Sequence, residues 1–204
     1  TETCQLVVRA DSNIQTLDDL SGHTVSIGAE ESGPERNAPQ ILEFAGMPSS
    51  LVATKNLDYI EATKELKAGD IDAFFCTAGL TTTVIDELSK ECDIRLIPLT
   101  DTVISKMLES SSAYTSEVIP AGTYTGQTTD ISTIGVKSVL ITKSDVSDDT
   151  IEQLTSLLFE KENELSYSNS LKLELTYDFA TGDIPIPFHN GAKRYYEGCG
   201  YSTN

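Results

Sequence analysis

The sequence is poor in basic residues and has no long hydrophobic run, and both deficits exclude classes of partner. Its 204 residues carry 14 Lys and Arg against 32 Asp and Glu, a formal charge of −18. Because nucleic acid and anionic lipid repel such a chain, we predict that it binds neither. Its apolar runs span a few residues, far fewer than the ~20 that a transmembrane helix requires. With 39% apolar residues, the chain is long enough for one large domain or two small ones.

Motifs for metal binding and covalent catalysis are also missing. No two cysteines form a C-x-x-C pair and both histidines lie far from them, so we predict neither a metal site nor a cofactor. The chain has no G-x-S-x-G elbow and no P-loop lysine, so we predict no catalytic residue and no enzymatic activity. The cysteines allow two disulfides in an exported chain or buried thiols, and the pairing stays open: Cys4, Cys76, Cys92 and Cys199.

The hydrophobic periodicity predicts an α/β fold. Short apolar strands alternate with amphipathic helices, a pattern typical of βαβ units with a mainly parallel sheet and helices on its faces. Two later strands without a helix between them predict an antiparallel addition, so the sheet is mixed. The predicted strands are residues 4–9, 24–28, 51–54, 71–77, 94–99, 114–119 and 134–142. The predicted helices are residues 34–45, 58–68 and 79–90, one around 103–108, and one that Ser147 caps and that continues to about Leu165.

The first of two strand-to-helix junctions, residues 28–37, predicts an anion site. Gly33 lets the backbone approach a ligand, and Pro34 suits the first helical position because it has no N–H to leave unpaired. The amides of residues 35–37 are then free donors, which favour a carboxylate or a phosphate. The alternative is that Ser32 only caps its own helix and that the three nearby glutamates repel an anion.

The second junction, residues 76–81, predicts a ligand site for the same reason. Thr77 supplies a hydroxyl and Gly79 leaves room after an apolar strand. In an open α/β sheet, ligands bind outside the carboxyl ends of strands, so two such junctions on neighbouring strands form a better cleft than one. A plain turn between strand and helix is the alternative interpretation.

Four stretches in order resemble the TAXI-type solute-binding proteins of TRAP transporters. The first is D-D-L-S-G-H-T-V-S-I-G at 18–28, followed by S-G-P-E-R-N-A at 32–38. The others are G-D-I-D-A-F-F-C-T-A-G at 69–79, I-P-A-G-T-Y-T-G-Q at 119–127 and P-F-H-N-G-A-K-R-Y-Y at 187–196. They cover almost the full length of the chain. One departure is Pro34, which stands where the family usually has a small hydroxyl residue.

The resemblance implies a two-lobed, type II periplasmic binding protein-like fold. Such proteins capture a small organic anion, an amino acid such as glutamate or a dicarboxylate, and deliver it to membrane permease subunits. The implied location is periplasmic or extracellular, with a lipoprotein tether as one option. Residues 1–143 resemble the second lobe, and residues 144–204 resemble a helical segment that packs on the first lobe. Since family members have about a hundred further residues before this point, we expect a fragment or a shortened relative that self-associates through its exposed lobe surface.

The resemblance also implies the residues that contact the ligand. One lobe's half of the cleft is lined by Ser32, Gly33, Asn37, Thr77, Ala78 and Gly79, and the A-G-T-Y motif adds Tyr124. Two alternatives remain open at this stage. One is a ligand-sensing module that regulates a signalling partner, and the other is an enzyme that acts on a small carboxylate.

Overall fold

The computed structural model describes residues 1–160 and 175–203, which form two compact units, Thr1–Lys137 and Ser138–Asn204. The first unit is a seven-stranded sheet with helices on both faces, and the second is helical. The predicted α/β class, with a mixed sheet flanked by helices, is confirmed. Among the described residues, no helix combines the length and the apolar character needed to cross a membrane.

The sheet of the first unit has the order β3-β2-β4-β1-β7-β6, with β5 also paired to β1. Strands β2, β3 and β4 are parallel, β1 runs antiparallel to β4, β5 and β7, and β6 runs antiparallel to β7. Five of the seven strands therefore point the same way, although most hydrogen-bonded pairs are antiparallel. The strands are β1 Glu2–Arg9, β2 Thr24–Ser26, β3 Ala53–Lys55, β4 Ala73–Ala78, β5 Ile94–Leu96, β6 Tyr114–Ile119 and β7 Ile131–Val136.

Both faces of the sheet are buried, so the central strands β1 and β4 are buried along almost their whole length. Leu6 and Phe75 pack on one face with helices α1 and α4, and Val7 and Phe74 pack on the other face with α2 and α3. The alternation follows from the two-residue period of a strand. The helices are α1 Gly33–Phe44, α2 Tyr59–Ala68, α3 Thr83–Glu91 and α4 Asp101–Ser110, with a short 3₁₀ helix at Asp18–Leu20.

Most predicted elements differ from the structure by no more than three residues at an end, as for the strand predicted at 94–99, which ends at Leu96. Two predicted elements differ by more. The strand predicted at 134–142 is wrong in its second half, because β7 ends at Val136 and residues 137–142 pair with no strand. Leu140 and Ile141 are each 72% exposed, so a short apolar run here does not mark a buried strand. The helix predicted at 79–90 begins only at Thr83, which leaves a longer turn after β4.

The second unit contains helices α5 Asp148–Glu160, α6 Tyr177–Thr181 and α7 Asn190–Gly198. The Ser147 hydroxyl accepts a hydrogen bond from the Thr150 amide at 3.1 Å, which confirms the predicted N-cap. The predicted continuation of this helix to Leu165 lies outside the described residues. Helices α5 and α7 approach closely at Gly191, where a Cβ atom would lie 2.2 Å from the carbonyl oxygen of Asp148.

All four cysteines are free thiols, and we expect them to differ in reactivity. Burial raises the pKa of both Cys4 and Cys76 to about 12, so their thiolates are scarce at about pH 8. An aromatic disulfide reagent is therefore expected to label the exposed Cys199 first and to reach Cys4 and Cys76 only after denaturation in urea. A Cys199→Ser variant should lose the fast phase. Fast labelling of Cys4 or Cys76 in the folded protein would contradict this assignment.

Candidate functional site

The two predicted junctions meet at one edge of the sheet. Strands β2 and β4 are parallel neighbours, so the loops that leave their carboxyl ends start side by side. The Asn37 Nδ2 atom of α1 donates a hydrogen bond to Thr77 Oγ1 at the end of β4, at 3.1 Å. Both side chains are buried, at 2% and 6% exposure. Two predicted site residues that are forty positions apart in sequence are therefore in direct contact.

The first junction folds back over the start of α1. Gly28 has a φ of +96°, and a Cβ atom there would lie 2.7 Å from both Pro34 Cβ and Ser32 Oγ. Ser32 is the N-cap of α1, because its hydroxyl accepts from the Glu35 amide at 3.4 Å. The capping interpretation of Ser32 is thus correct, and the prediction that the Glu35 amide is a free donor is wrong.

The Glu35 carboxylate reinforces this cap. It accepts a hydrogen bond from the Glu31 amide at 2.6 Å and another from Asn56 Nδ2 at 3.0 Å. Within the part of the chain that the structure describes, the Gly33 amide has no acceptor. No atom lies within 4 Å of the position of a Cβ on Gly33. The N–H of Gly33 is therefore an unpaired donor at this helix start.

Tyr59 completes the second junction, and sequence reasoning missed it. Strand β2 ends at Ser26, opposite Phe74, so it offers no partner to β4 as far along as Thr77. The Tyr59 hydroxyl takes that place, because it donates to the Thr77 carbonyl at 3.0 Å and accepts from the Thr77 amide at 3.3 Å. Burial raises the pKa of Tyr59 above its ordinary value, so the hydroxyl keeps its proton. No motif in the sequence signals this contact.

A closed set of hydrogen bonds holds the turn after β4. Thr82 Oγ1 donates to the Gly79 carbonyl at 2.9 Å and accepts from Gln5 Nε2 at 2.8 Å. The Tyr124 hydroxyl donates to Gln5 Oε1 at 2.6 Å and accepts from the Thr82 amide at 3.1 Å. Every polar group in this set has a partner although Gln5 and Tyr124 are buried, so the set rigidifies the turn.

The residues predicted to contact the ligand differ in how accessible they are. Ala78 and Gly79 are partly exposed at the junction, and the Gly79 amide has no acceptor among the described residues. Tyr124 is 3% exposed and its hydroxyl is engaged on both sides. It lies behind the turn and supports it, and its contact with a ligand stays a prediction.

At this edge of the sheet, main-chain N–H donors lie beside glutamate carboxylates. The hydroxyls of Ser32 and Thr77 bond to main-chain and side-chain amides, and in the described residues neither contacts a histidine or a carboxylate. Across residues 1–160 and 175–203, no three His, Cys, Asp or Glu side chains are grouped to hold a metal ion. Among the described residues, this edge of the sheet offers two main-chain donors without an acceptor, the N–H groups of Gly33 and Gly79.

The family model described as the NMT1-like family matches residues 1–200. The chain is also similar to three solved structures. The aliphatic sulphonate binding protein SsuA of Escherichia coli is 14% identical, with a TM-score of 0.48 and coverage of 96% of this chain and 51% of that one. A structure on glutathione import in Streptococcus mutans is 16% identical, with a TM-score of 0.47 and coverage of 82% and 58%. An ancestral arginine-binding protein bound to glutamine is 17% identical, with a TM-score of 0.43 and coverage of 82% and 56%. The chain thus spans little more than half the length of these proteins.

Proposed function

Because the chain belongs to the NMT1-like family, we propose that it is the extracytoplasmic solute-binding subunit of a TRAP-type transporter. It captures a small organic anion at the edge formed by the two junctions and passes it to membrane permease subunits. The single observation that carries this proposal is the buried Asn37–Thr77 hydrogen bond, which joins the two junctions. The TRAP type rests on the four sequence stretches that resemble TAXI-type proteins.

The unpaired amides provide the attraction that the net charge of −18 does not. A ligand carboxylate accepts from the N–H groups of Gly33 and Gly79, and each hydrogen bond to a charged group contributes about 1.5–3 kcal/mol. The Asn37–Thr77 hydrogen bond joins the start of α1 to the end of β4, and in this proposal the two donors bind one ligand there. Residues 1–143 act as one lobe, and closure against a second lobe excludes water from these bonds.

The acidic residues of the first junction favour an amino acid over a dicarboxylate. Glu30 and Glu31 are exposed beside the half-buried Glu35 carboxylate, and together they repel a plain dicarboxylate of net charge −2 more strongly than glutamate, whose ammonium leaves a net charge of −1. A ligand ammonium is attracted to the same carboxylates. A glutamate-like amino acid therefore satisfies both the amide donors and the glutamates.

Titrations with L-glutamate and with glutarate, which lacks the ammonium, test the proposal. We expect L-glutamate to shift the amide NMR signals of Gly33 and Gly79, with weak affinity for this chain alone and weaker affinity for glutarate. Gly33→Val should lower the affinity by about tenfold or more, because it blocks the approach to the amide. Gly198→Val is the matched control, since Gly198 also has no atom within 4 Å of a Cβ position. Equal binding by both variants, or shifts confined to other residues, would overturn the proposal.

A further inference from the structure

A cavity lies at the other end of the sheet from the two junctions. Its volume is about 460 Å³, which is within the usual range of small-molecule sites. It forms beside a split in the sheet, because β7 pairs with β1 at Glu2 and Thr3 whereas β5 pairs with the same strand at Val7 to Arg9. At ~3.3 Å per residue, Arg9 lies roughly 20 Å along β1 from the junction edge at Thr3.

The loop between β6 and β7 forms one wall of this cavity, and its own hydrogen bonds hold its shape. Gln127 Nε2 lies 3.0–3.3 Å from the carbonyl oxygens of Ile119, Pro120 and Thr129. The Gly122 amide donates to the Gln127 carbonyl at 2.9 Å. The cavity therefore exists before any ligand arrives, which lowers the cost of binding.

One side of the cavity carries a positive charge that no carboxylate neutralises. Arg95 lines the cavity, and its guanidinium donates to the carbonyls of Ala10 at 2.7 Å, Ile14 at 2.9 Å and Ser12 at 3.4 Å. A guanidinium has five N–H donors, so two of them, including the Nε–H, have no acceptor among the described residues. No Asp or Glu of the described chain lies within ion-pair distance of Arg95. This side of the cavity suits a carboxylate.

Another part of the lining carries a negative charge and an apolar surface. Asp130 accepts from the Ala121 amide through Oδ1 at 2.8 Å, and its Oδ2 has no donor among the described residues. The apolar lining comes from Ile94, Leu96 and Ile131. A ligand that fits this lining has a carboxylate, an ammonium and a small hydrocarbon body.

We propose that this cavity is a second binding site, for a small α-amino acid with an apolar side chain. The ligand carboxylate pairs with Arg95, the ammonium faces Asp130, and the side chain lies on the apolar lining. This site is separate from the one proposed at Gly33 and Gly79. Tyr124 connects the two regions, because it lines the cavity while its hydroxyl holds the Thr82 turn.

Three probes with the same hydrocarbon body test the charge requirement: L-valine, isovalerate, which lacks the ammonium, and isobutylamine, which lacks the carboxylate. We expect L-valine to bind and to shift the amide NMR signals of residues 128–131. Each of the other two should bind about tenfold more weakly or worse, because each loses one charged contact.

Three variants locate the binding. Thr128→Trp fills the cavity and should abolish binding of L-valine, whereas Thr125→Trp, on the same loop but outside the lining, should not. Asp130→Asn keeps an oxygen for the Ala121 amide but loses the charge, and should weaken binding of L-valine about tenfold while isovalerate binds no worse. Absence of L-valine binding, or binding that Gly33→Val abolishes and Thr128→Trp does not, would overturn the second site without affecting the first.

Discussion

Replacing Asn37 with leucine is expected to lower the free energy of unfolding by about 1–3 kcal/mol, since the buried Thr77 hydroxyl loses its amide partner. Leucine has a similar size, so the loss reports the hydrogen bond more than a cavity. Urea denaturation followed by circular dichroism measures it. Asn13→Leu is the matched control at an exposed position and should change stability by no more than about 0.5 kcal/mol.

A double-mutant cycle separates this hydrogen bond from other effects of the substitution. Thr77→Val alone leaves the Asn37 amide buried without its acceptor, so we expect a loss similar to that of Asn37→Leu. Removing both partners is expected to cost less than the sum of the single losses, because no polar group is then left unpaired. Additive losses, or a single variant as stable as Asn13→Leu, would show that the contact does not join the two junctions.

Gly191→Ala is expected to destabilise the second unit by about 1–3 kcal/mol or more. The added Cβ would lie 2.2 Å from the Asp148 carbonyl oxygen and 2.9 Å from the Glu152 amide nitrogen. Both atoms belong to the backbone of α5, so no side-chain rotation relieves the overlap and the two helices must move apart.

The aromatic side chains of the second unit report that movement. Phe159 of α5 packs against Tyr195 and Tyr196 of α7 with ring centroids 5.8 and 6.0 Å apart, so near-ultraviolet circular dichroism should lose intensity as α5 and α7 separate. Gly198→Ala is the control in the same helix, because a Cβ there meets nothing within 4 Å. It should leave stability unchanged or raise it by up to about 1 kcal/mol. A Gly191→Ala variant with wild-type stability would mean that the helices are not in contact at this point.

Much of the local structure could be predicted from the sequence because it depends on neighbours along the chain. The helical spacing predicts a buried face of residues 38, 41, 42 and 45; the first three are buried and Ala45 is partly buried against the same core. Strand β6 has the predicted bounds, Tyr114–Ile119. The end of β7 was not predictable from local pattern, since Val139 to Ile141 are as apolar as a buried strand but have no strand to pair with. The periodicity of a segment does not say which segment lies beside it.

In the candidate site too, local features were predictable from the sequence and long-range contacts were not. Glycines, a capping serine and the strand-to-helix order identified both junctions, because these features need special backbone geometry at a known position in the chain. The role of Tyr59 and the burial of Tyr124 were not predictable, because each depends on hydrogen bonds between residues at least 18 positions apart.

By itself, the sequence determined the acidic charge, the α/β class and the position of the two strand-to-helix junctions, because each follows from composition or from short-range spacing. Only the tertiary structure decided that Asn37 meets Thr77, that Tyr59 bonds to the backbone of Thr77, and that β5 and β7 leave a cavity beside β1. The physical reason is that sheet order and register depend on which distant segments bury their apolar surface against each other. The folded chain as a whole decides which segments pack together, and no single stretch of sequence does.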